Sequence, residues 1–332
     1  MVYLHLFENE NDFNNERNNN YIEPWVSATN TGNNTYRTDY NINKKEIPLT
    51  FEVTSDGNIC WKAYDTASTK TIEYRKNSGE WTEITSATGN GITISVVSGD
   101  IIQFKGDNAT YTGGTYQGWG YPYTSFNGTT AGFKVKGNIM SLIDSNGFTT
   151  ATTLYSSYTF YNFFFNCTGL TDASELILPA TTLSPYCYYR MFYSCTSLTA
   201  APELLATALA MDCYHSMFES CTGLTTAPSI LPATALANHC YHGMFMGCTS
   251  LTTAPELPAT TLVDACYYYM LNNCTNLKYI KCLATDISAS NCTSNWTYNI
   301  QASGTFVKAA SMTSWSTGAN GIPSNWTVQD AS

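Results

Sequence analysis

The sequence predicts a multidomain β and α/β chain, with an N-terminal antiparallel β-sandwich followed by a solenoid of strand-and-helix repeats. Three observations carry this expectation. Strand-sized runs recur at about ten-residue spacing between positions 47 and 137. A unit of 26–28 residues then recurs from about 150 to 292, and within it the apolar residues fall on a helical period. The expected layout is an N-terminal arm at 1–46, the sandwich at 47–138, the solenoid at 139–300 and a C-terminal cap at 301–332.

In the arm, ENENDFNNERNNN (8–20) is too polar to bury a core and reads as mobile. The start, Met1 to Phe7, lacks the basic region and cleavage site of a secretory leader, and no window reaches the roughly 18 apolar residues of a membrane span. A soluble protein made in a cytoplasm is expected, without membrane insertion. The net charge of -10 and the absence of a Lys/Arg cluster argue against nucleic acid, whose affinity rests on phosphate neutralisation. At 332 residues the chain can bury a sizeable core.

In the sandwich, the runs Leu49–Thr54, Ile59–Ala63, Thr71–Arg75, Trp81–Thr85, Ile92–Val97, Ile101–Lys105 and Gly132–Val135 are separated by SDG, NSGE, GNG and SGD turn signals. The segment 113–126 (GGTYQGWGYPYTSF) sets Trp119, Tyr121 and Tyr123 among glycines. Rings on such a loop either stack on a ligand or fold back over their own domain.

Each repeat contains Cys-Thr-(Gly/Ser/Asn)-Leu, with the cysteine at 167, 195, 221, 248 and 274. A second cysteine stands eight residues earlier at 187, 213, 240 and 266, and Cys292 opens a last partial unit. A fixed period of this length means that each unit buries its apolar face on the next copy. In CYYRMFYSC (187–195) a helix would gather Cys187, Tyr188, Met191, Phe192 and Cys195 in one arc of about 140°. Those positions barely change between copies. On the opposite arc the copies differ: Tyr189 gives way to His215, His242 and Tyr268, Arg190 to Ser216, Gly243 and Tyr269, while Tyr193 lies beside them. A constant packing face and a varied outer face follow. The next stretch, Leu198 to Leu204, alternates as a strand does, but Pro202, Pro228 and Pro255 each remove a ladder donor, so these strands should be short or irregular. A strand, a turn and a helix per unit describe a leucine-rich-repeat-like solenoid.

The string MFMGCTSLTTAPELPATTL (244–262) resembles the BspA-like leucine-rich repeats, and EPWVS (23–27) with WTV (326–328) resembles the style of repeat proteins of gut Bacteroidetes and their bacteriophages. The repeat resemblance covers nearly half the chain. It departs from the family in a longer unit and in a first copy with Thr159 where a cysteine is expected. The resemblance implies adhesion, host attachment, and glycan or protein binding.

Two cysteines at i and i+8 of a helix would lie on the order of 12 Å apart, beyond the roughly 7 Å Cα limit of a disulfide. Equivalent cysteines of adjacent units would sit about 8–10 Å apart. Free, core-filling thiols are expected. With no CxxC, a zinc site is not expected, and His239 and His242 beside Cys240 read as contact residues. Glu175, Glu203 and Glu256 share one repeat position; a repeated environment does not separate two pKa values as acid–base catalysis requires, so they read as a solvated row. No nucleophile, phosphate-loop or metalloprotease motif occurs.

The expected function is a non-enzymatic binding or adhesion protein without cofactor or metal. Its expected setting is a phage virion, as a tail or fibre component made in the host cytoplasm, contacting a host cell-surface glycan or protein. Candidate contact residues are Tyr189, Arg190, Tyr193, His215, His242, Tyr268, Tyr269, Trp119, Tyr121 and Tyr123, and residues 1–46 are the candidate tie to other virion proteins. The alternatives are a virion assembly or decoration subunit and a bacterial cell-surface adhesin; homo-oligomerisation is left open.

Overall fold

The computed structural model describes residues 44–109 and 122–331, together with the backbone of 27–30 and 36–39. The chain divides into two compact units, Met1–Asn43 and Lys44–Ser332. In the first, β1 (Ser27–Asn30) pairs antiparallel with β2 (Tyr36–Asp39). The polar stretch 8–20 lies outside the described residues.

The second unit opens with seven of its strands where the turn signals place them: β3 (Leu49–Val53), β4 (Gly57–Ala63), β5 (Thr71–Lys76), β6 (Thr82–Thr85), β7 (Ile92–Val96), β8 (Ile101–Lys105) and, after the short β9 (Thr124–Ser125), β10 (Phe133–Asn138). Alternation works as expected on β10, where Phe133 and Val135 are buried and Lys134 is exposed. The assembly differs from an antiparallel sandwich. A strand from the repeat region, β11 (Leu170–Ile177), adds to β10 in parallel, giving a mixed six-stranded sheet of order β11-β10-β3-β8-β5-β6. A second, three-stranded sheet has the order β7-β4-β9. Neither closes on itself. Phe126 links the two, its ring 4.7 Å from Phe51 and 4.9 Å from Trp61.

The strand-and-helix solenoid is overturned. Among the described residues there is no α-helix, only three 3-10 helices of three or four residues, and residues 187–194 form turns. Two kinds of hydrogen bond alternate along this stretch. Met191, Tyr193 and Cys195 donate their N–H groups three residues back, to Tyr188, Arg190 and Phe192, at 3.1 Å. The intervening Arg190, Phe192 and Ser194 donate instead to His215, Met217 and Glu219 of the next copy, at 2.8–2.9 Å. An α-helix would direct all of these N–H groups four residues back along its own chain.

Left-handed residues recur at every fourth position, Tyr186, Arg190 and Ser194, then Asp212, Ser216 and Ser220, with φ between 50° and 61°, and Tyr188 adds a further one at 59°. The ribbon thus has a four-residue period, and the set i, i+1, i+4, i+5, i+8 satisfies four as well as 3.6 over so short a run. That is why Cys187, Tyr188, Met191, Phe192 and Cys195 are all fully buried although no helix forms.

The conformation depends on neighbouring copies. Each left-handed non-glycine costs about 1–2 kcal/mol, and the ribbon at 212–220 holds three of them. Against this, Asp212, Tyr214, Ser216, Phe218 and Ser220 all bond to the next copy, each bond contributing about 0.5–1.5 kcal/mol net. Stacked rings add about 0.5–1.5 kcal/mol per pair. Phe160, Tyr188, Tyr214, Tyr241, Tyr267 and Trp296 stack at 5.7–6.1 Å, and Phe164, Phe192, Phe218 and Phe245 at 5.2–5.5 Å.

Between ribbons the proline-bearing segments meet only through isolated parallel bridges such as Ala200↔Thr226 and Ile230↔Glu256. A regular parallel sheet resumes at β12 (Tyr279–Cys282), β13 (Thr305–Lys308) and β14 (Thr327–Asp330), with Ile280 opposite Phe306 and Phe306 opposite Val328. Trp315 stacks on Trp296 at 5.6 Å, and the Trp326 indole N–H donates to Gln301.

All twelve cysteines are free and buried. Within the repeats thiols donate across copies, Cys195 to the Phe164 carbonyl and Cys221 to that of Phe192, each at 3.0 Å.

Candidate functional site

Of the positions that vary between copies, Tyr189, Arg190, Tyr193, His215, His242, Tyr268 and Tyr269 form a half-exposed rim along the ribbons, whereas Ser216 and Gly243 are buried beneath it. At its first row Tyr189 stacks on Tyr161 at 5.1 Å and on His215 at 4.5 Å, His215 stacks on His242 at 4.1 Å, and His242 meets Tyr268 edge-on at 4.8 Å. Tyr193 stacks on Phe165 at 5.3 Å in a parallel row. Tyr161 and Phe165 hold in the first copy the phases of Tyr189 and Tyr193, so the repeat period was the signal that could have found them.

Both rows converge on Tyr123, whose ring lies 6.0 Å from Tyr161 and 6.5 Å from Phe165. Tyr123 in turn stacks on Tyr64 at 5.2 Å. One aromatic strip therefore runs from Tyr64, after β4, to Tyr268 in the last full copy. Tyr64 carries no sequence signal, because the β4–β9 pairing brings it to Tyr123. Of the loop candidates, Tyr123 lies on the strip, while Trp119 and Tyr121 lie outside the described residues.

The strip presents edges more than faces. Tyr189, His215 and His242 are each covered by neighbouring rings, so their accessible atoms are hydroxyls, ring nitrogens and C–H edges. Arg190 packs its guanidinium against the rings of Tyr189 and Tyr193, at 5.4 and 5.1 Å. Its Nε is buried and has no hydrogen-bond partner. Tyr269 packs edge-on against Tyr268 at 4.3 Å.

In the middle of the strip Asp212 accepts from His215 Nδ1 at 2.7 Å and faces His239 Nδ1 at 3.6 Å. Burial, reinforced by the positive charge available on His215 and His239, drives the His242 pKa down to about 3. His242 is thus neutral, and its Nδ1 is buried without a partner. Burial raises the Tyr189 and Tyr123 hydroxyl pKa values, and a hydrogen bond with Tyr269 raises that of Tyr268. Among the described residues no three His, Cys, Asp or Glu side chains gather to hold a metal ion.

The carboxylates at the shared repeat position have separate partners. Glu203 accepts from the Ser229 N–H and hydroxyl at 2.9–3.1 Å, and Glu256 pairs with Lys281 at 2.9 Å. No family model matches this chain, and neither a curated protein nor a solved structure matches it.

Proposed function

We propose that this chain is a non-enzymatic binding protein, a phage tail or fibre component that contacts a host-surface glycan or protein through the aromatic strip. The observation that supports this reading most is the division of each copy. Cys, Tyr, Met and Phe are spent on the core, and most of the residues that change from copy to copy are gathered on one continuous rim. Edges, hydroxyls and one guanidinium are contact chemistry suited to a polar surface. The pairing of Glu203 and Glu256 with neighbours gives those carboxylates structural work, in keeping with a binder. The virion setting draws on the sequence resemblance.

The test is adsorption. Purified chain is incubated with gut Bacteroidetes isolates, and the triple variant Arg190→Ala, Tyr193→Ala, Tyr269→Ala should lose at least about tenfold in cell binding, as hot-spot truncations do, while its circular dichroism spectrum at the assay temperature stays that of the folded wild type. Undiminished binding would remove the strip from the contact. Mass spectrometry of purified particles should detect the chain, whereas detection on bacterial envelopes alone would favour the adhesin.

One observation favours an assembly subunit as a second reading. β14 is the edge of a parallel sheet and all four of its residues are exposed, Val328 at 45%. Such an edge can accept a strand from a neighbouring molecule.

A further inference from the structure

Where the strip begins, the chain forms a cavity of about 260 Å3 lined by Lys62, Tyr64, Gly89, Tyr123, Ser125 and Asn127. It is smaller than the roughly 300–1,000 Å3 of sites for drug-sized ligands, a size suited to one small ring. The sheet builds it. On β4, Trp61 and Ala63 point into the core, so Lys62 between them points out. Lys62 is directly opposite Ser125 of β9, which puts both side chains on one face. The Tyr64 N–H donates to the Tyr123 carbonyl at 2.8 Å, holding the two stacked rings in register.

The lining has complementary chemistry. Tyr64 is 43% exposed, and no described residue stacks on the face turned away from Tyr123. Tyr189 and His215, by contrast, are each stacked between two rings. Around it stand the Lys62 ammonium and the Asn127 side-chain amide, neither held by a hydrogen bond or ion pair among the described residues, and below them the buried Ser125 hydroxyl, which accepts the Asn127 N–H at 3.2 Å and keeps its own proton to donate. An apolar platform ringed by donors and acceptors matches a pyranose, which has one C–H face and an equator of hydroxyls.

We propose that this cavity binds a single pyranose residue of a glycan, its C–H face on Tyr64 and its hydroxyls on Lys62, Ser125 and Asn127. The proposal rests on the binding reading above and gives it a ligand class. A hexose of twelve heavy atoms at ordinary ligand efficiency binds with a Kd of a few mM, so the remainder of the glycan has to engage the rim for tight attachment.

Saturation-transfer NMR on the full chain tests it, with methyl glucoside, galactoside, mannoside, N-acetylglucosaminide and glucuronide as probes. At least one should give transfer. Tyr64→Ala should weaken it by about tenfold or more, Lys62→Ala should weaken the glucuronide more than the neutral sugars, and Arg190→Ala should leave it unchanged. Lys62→Ala should keep the wild-type thermal midpoint, and Tyr64→Ala should lower it only by the lost stack on Tyr123, about 0.5–1.5 kcal/mol, leaving the chain folded at the temperature of the measurement. No transfer from any probe at about 20 mM, well above the expected Kd, overturns the proposal. So does transfer indifferent to both Tyr64→Ala and Lys62→Ala. Either result leaves the binding reading standing if the chain still adheres to cells; loss of cell binding in the rim triple variant is read separately.

Discussion

The Cys221 thiol donates to the Phe192 carbonyl oxygen at 3.0 Å, and that same oxygen accepts the Cys195 N–H at 3.1 Å. One carbonyl thus closes a turn in its own copy and ties in the next. Cys248 on Phe218 and Cys274 on Phe245 repeat the arrangement at 3.1 Å. Cys221→Ala should lower the unfolding free energy by about 1–2 kcal/mol, from the lost bond and the small cavity. Cys221→Ser keeps a donor and should cost less than Ala in urea denaturation. A serine variant weaker than the alanine one would show that the sulfur acts by apolar packing alone.

The thiols should be silent in the native protein. Burial pushes Cys195, Cys213, Cys266, Cys274 and Cys282 up to about 12 and Cys187 to about 11. Only thiolate reacts with alkylating reagents, so iodoacetamide at pH 8 should label the native chain far more slowly than the urea-unfolded chain. Rapid native labelling would contradict the ladder of buried thiols.

Alkaline stability follows with its sign. A thiol raised from 9.0 binds its proton more tightly in the folded state, so the native chain holds more protons than the unfolded one above pH 9 and stability falls as pH rises. The contribution is complete below about pH 9 and disappears toward pH 12. Urea midpoints should drop steadily across that window, and a flat profile would refute the shift.

Acid acts through His242. Its folded pKa near 3 lies below the ordinary histidine value of 6.5, so the unfolded chain takes up the extra proton and the associated stability, complete above pH 6.5, is lost as pH falls toward 3. His242→Tyr places at this phase the residue found at 189 and 268 and removes the titration. Its urea midpoint should fall less between pH 7 and pH 4 than that of wild type. An identical acid limb would assign the loss to other groups.

Glycine substitutions distinguish the ribbon from a helix. Ser220 has φ 61°, so Ser220→Gly relieves left-handed strain and should stabilise by about 1 kcal/mol, where a helix interior would lose about as much. Gly243 has φ 57°, and a Cβ there would stand 3.2 Å from the Ser216 hydroxyl oxygen; Gly243→Ala should destabilise by at least about 1 kcal/mol. Thermal melts in which both signs reverse would restore the helix.

Sequence alone established the repeat, its phase, the buried residues of each copy, the free thiols and the residues that vary. These depend on which side chain stands at which interval, and CYYRMFYSC buries the same five residues whether its period is 3.6 or four. It also located the first strands, because Gly, Asn and Asp turn signals act locally. The backbone conformation of the repeat was decided by tertiary structure. Arg190 and Ser194 are left-handed in a ribbon whose Arg190, Phe192 and Ser194 N–H groups are accepted by His215, Met217 and Glu219 of the next copy, and no local propensity records a partner 25 residues away. The same holds for β11 on β10, which turns an antiparallel sheet into a mixed one, and for Tyr64 on Tyr123. A hydrogen bond or ring contact between distant positions exists only once the chain is folded, so packing chose among conformations that the residue pattern left equivalent.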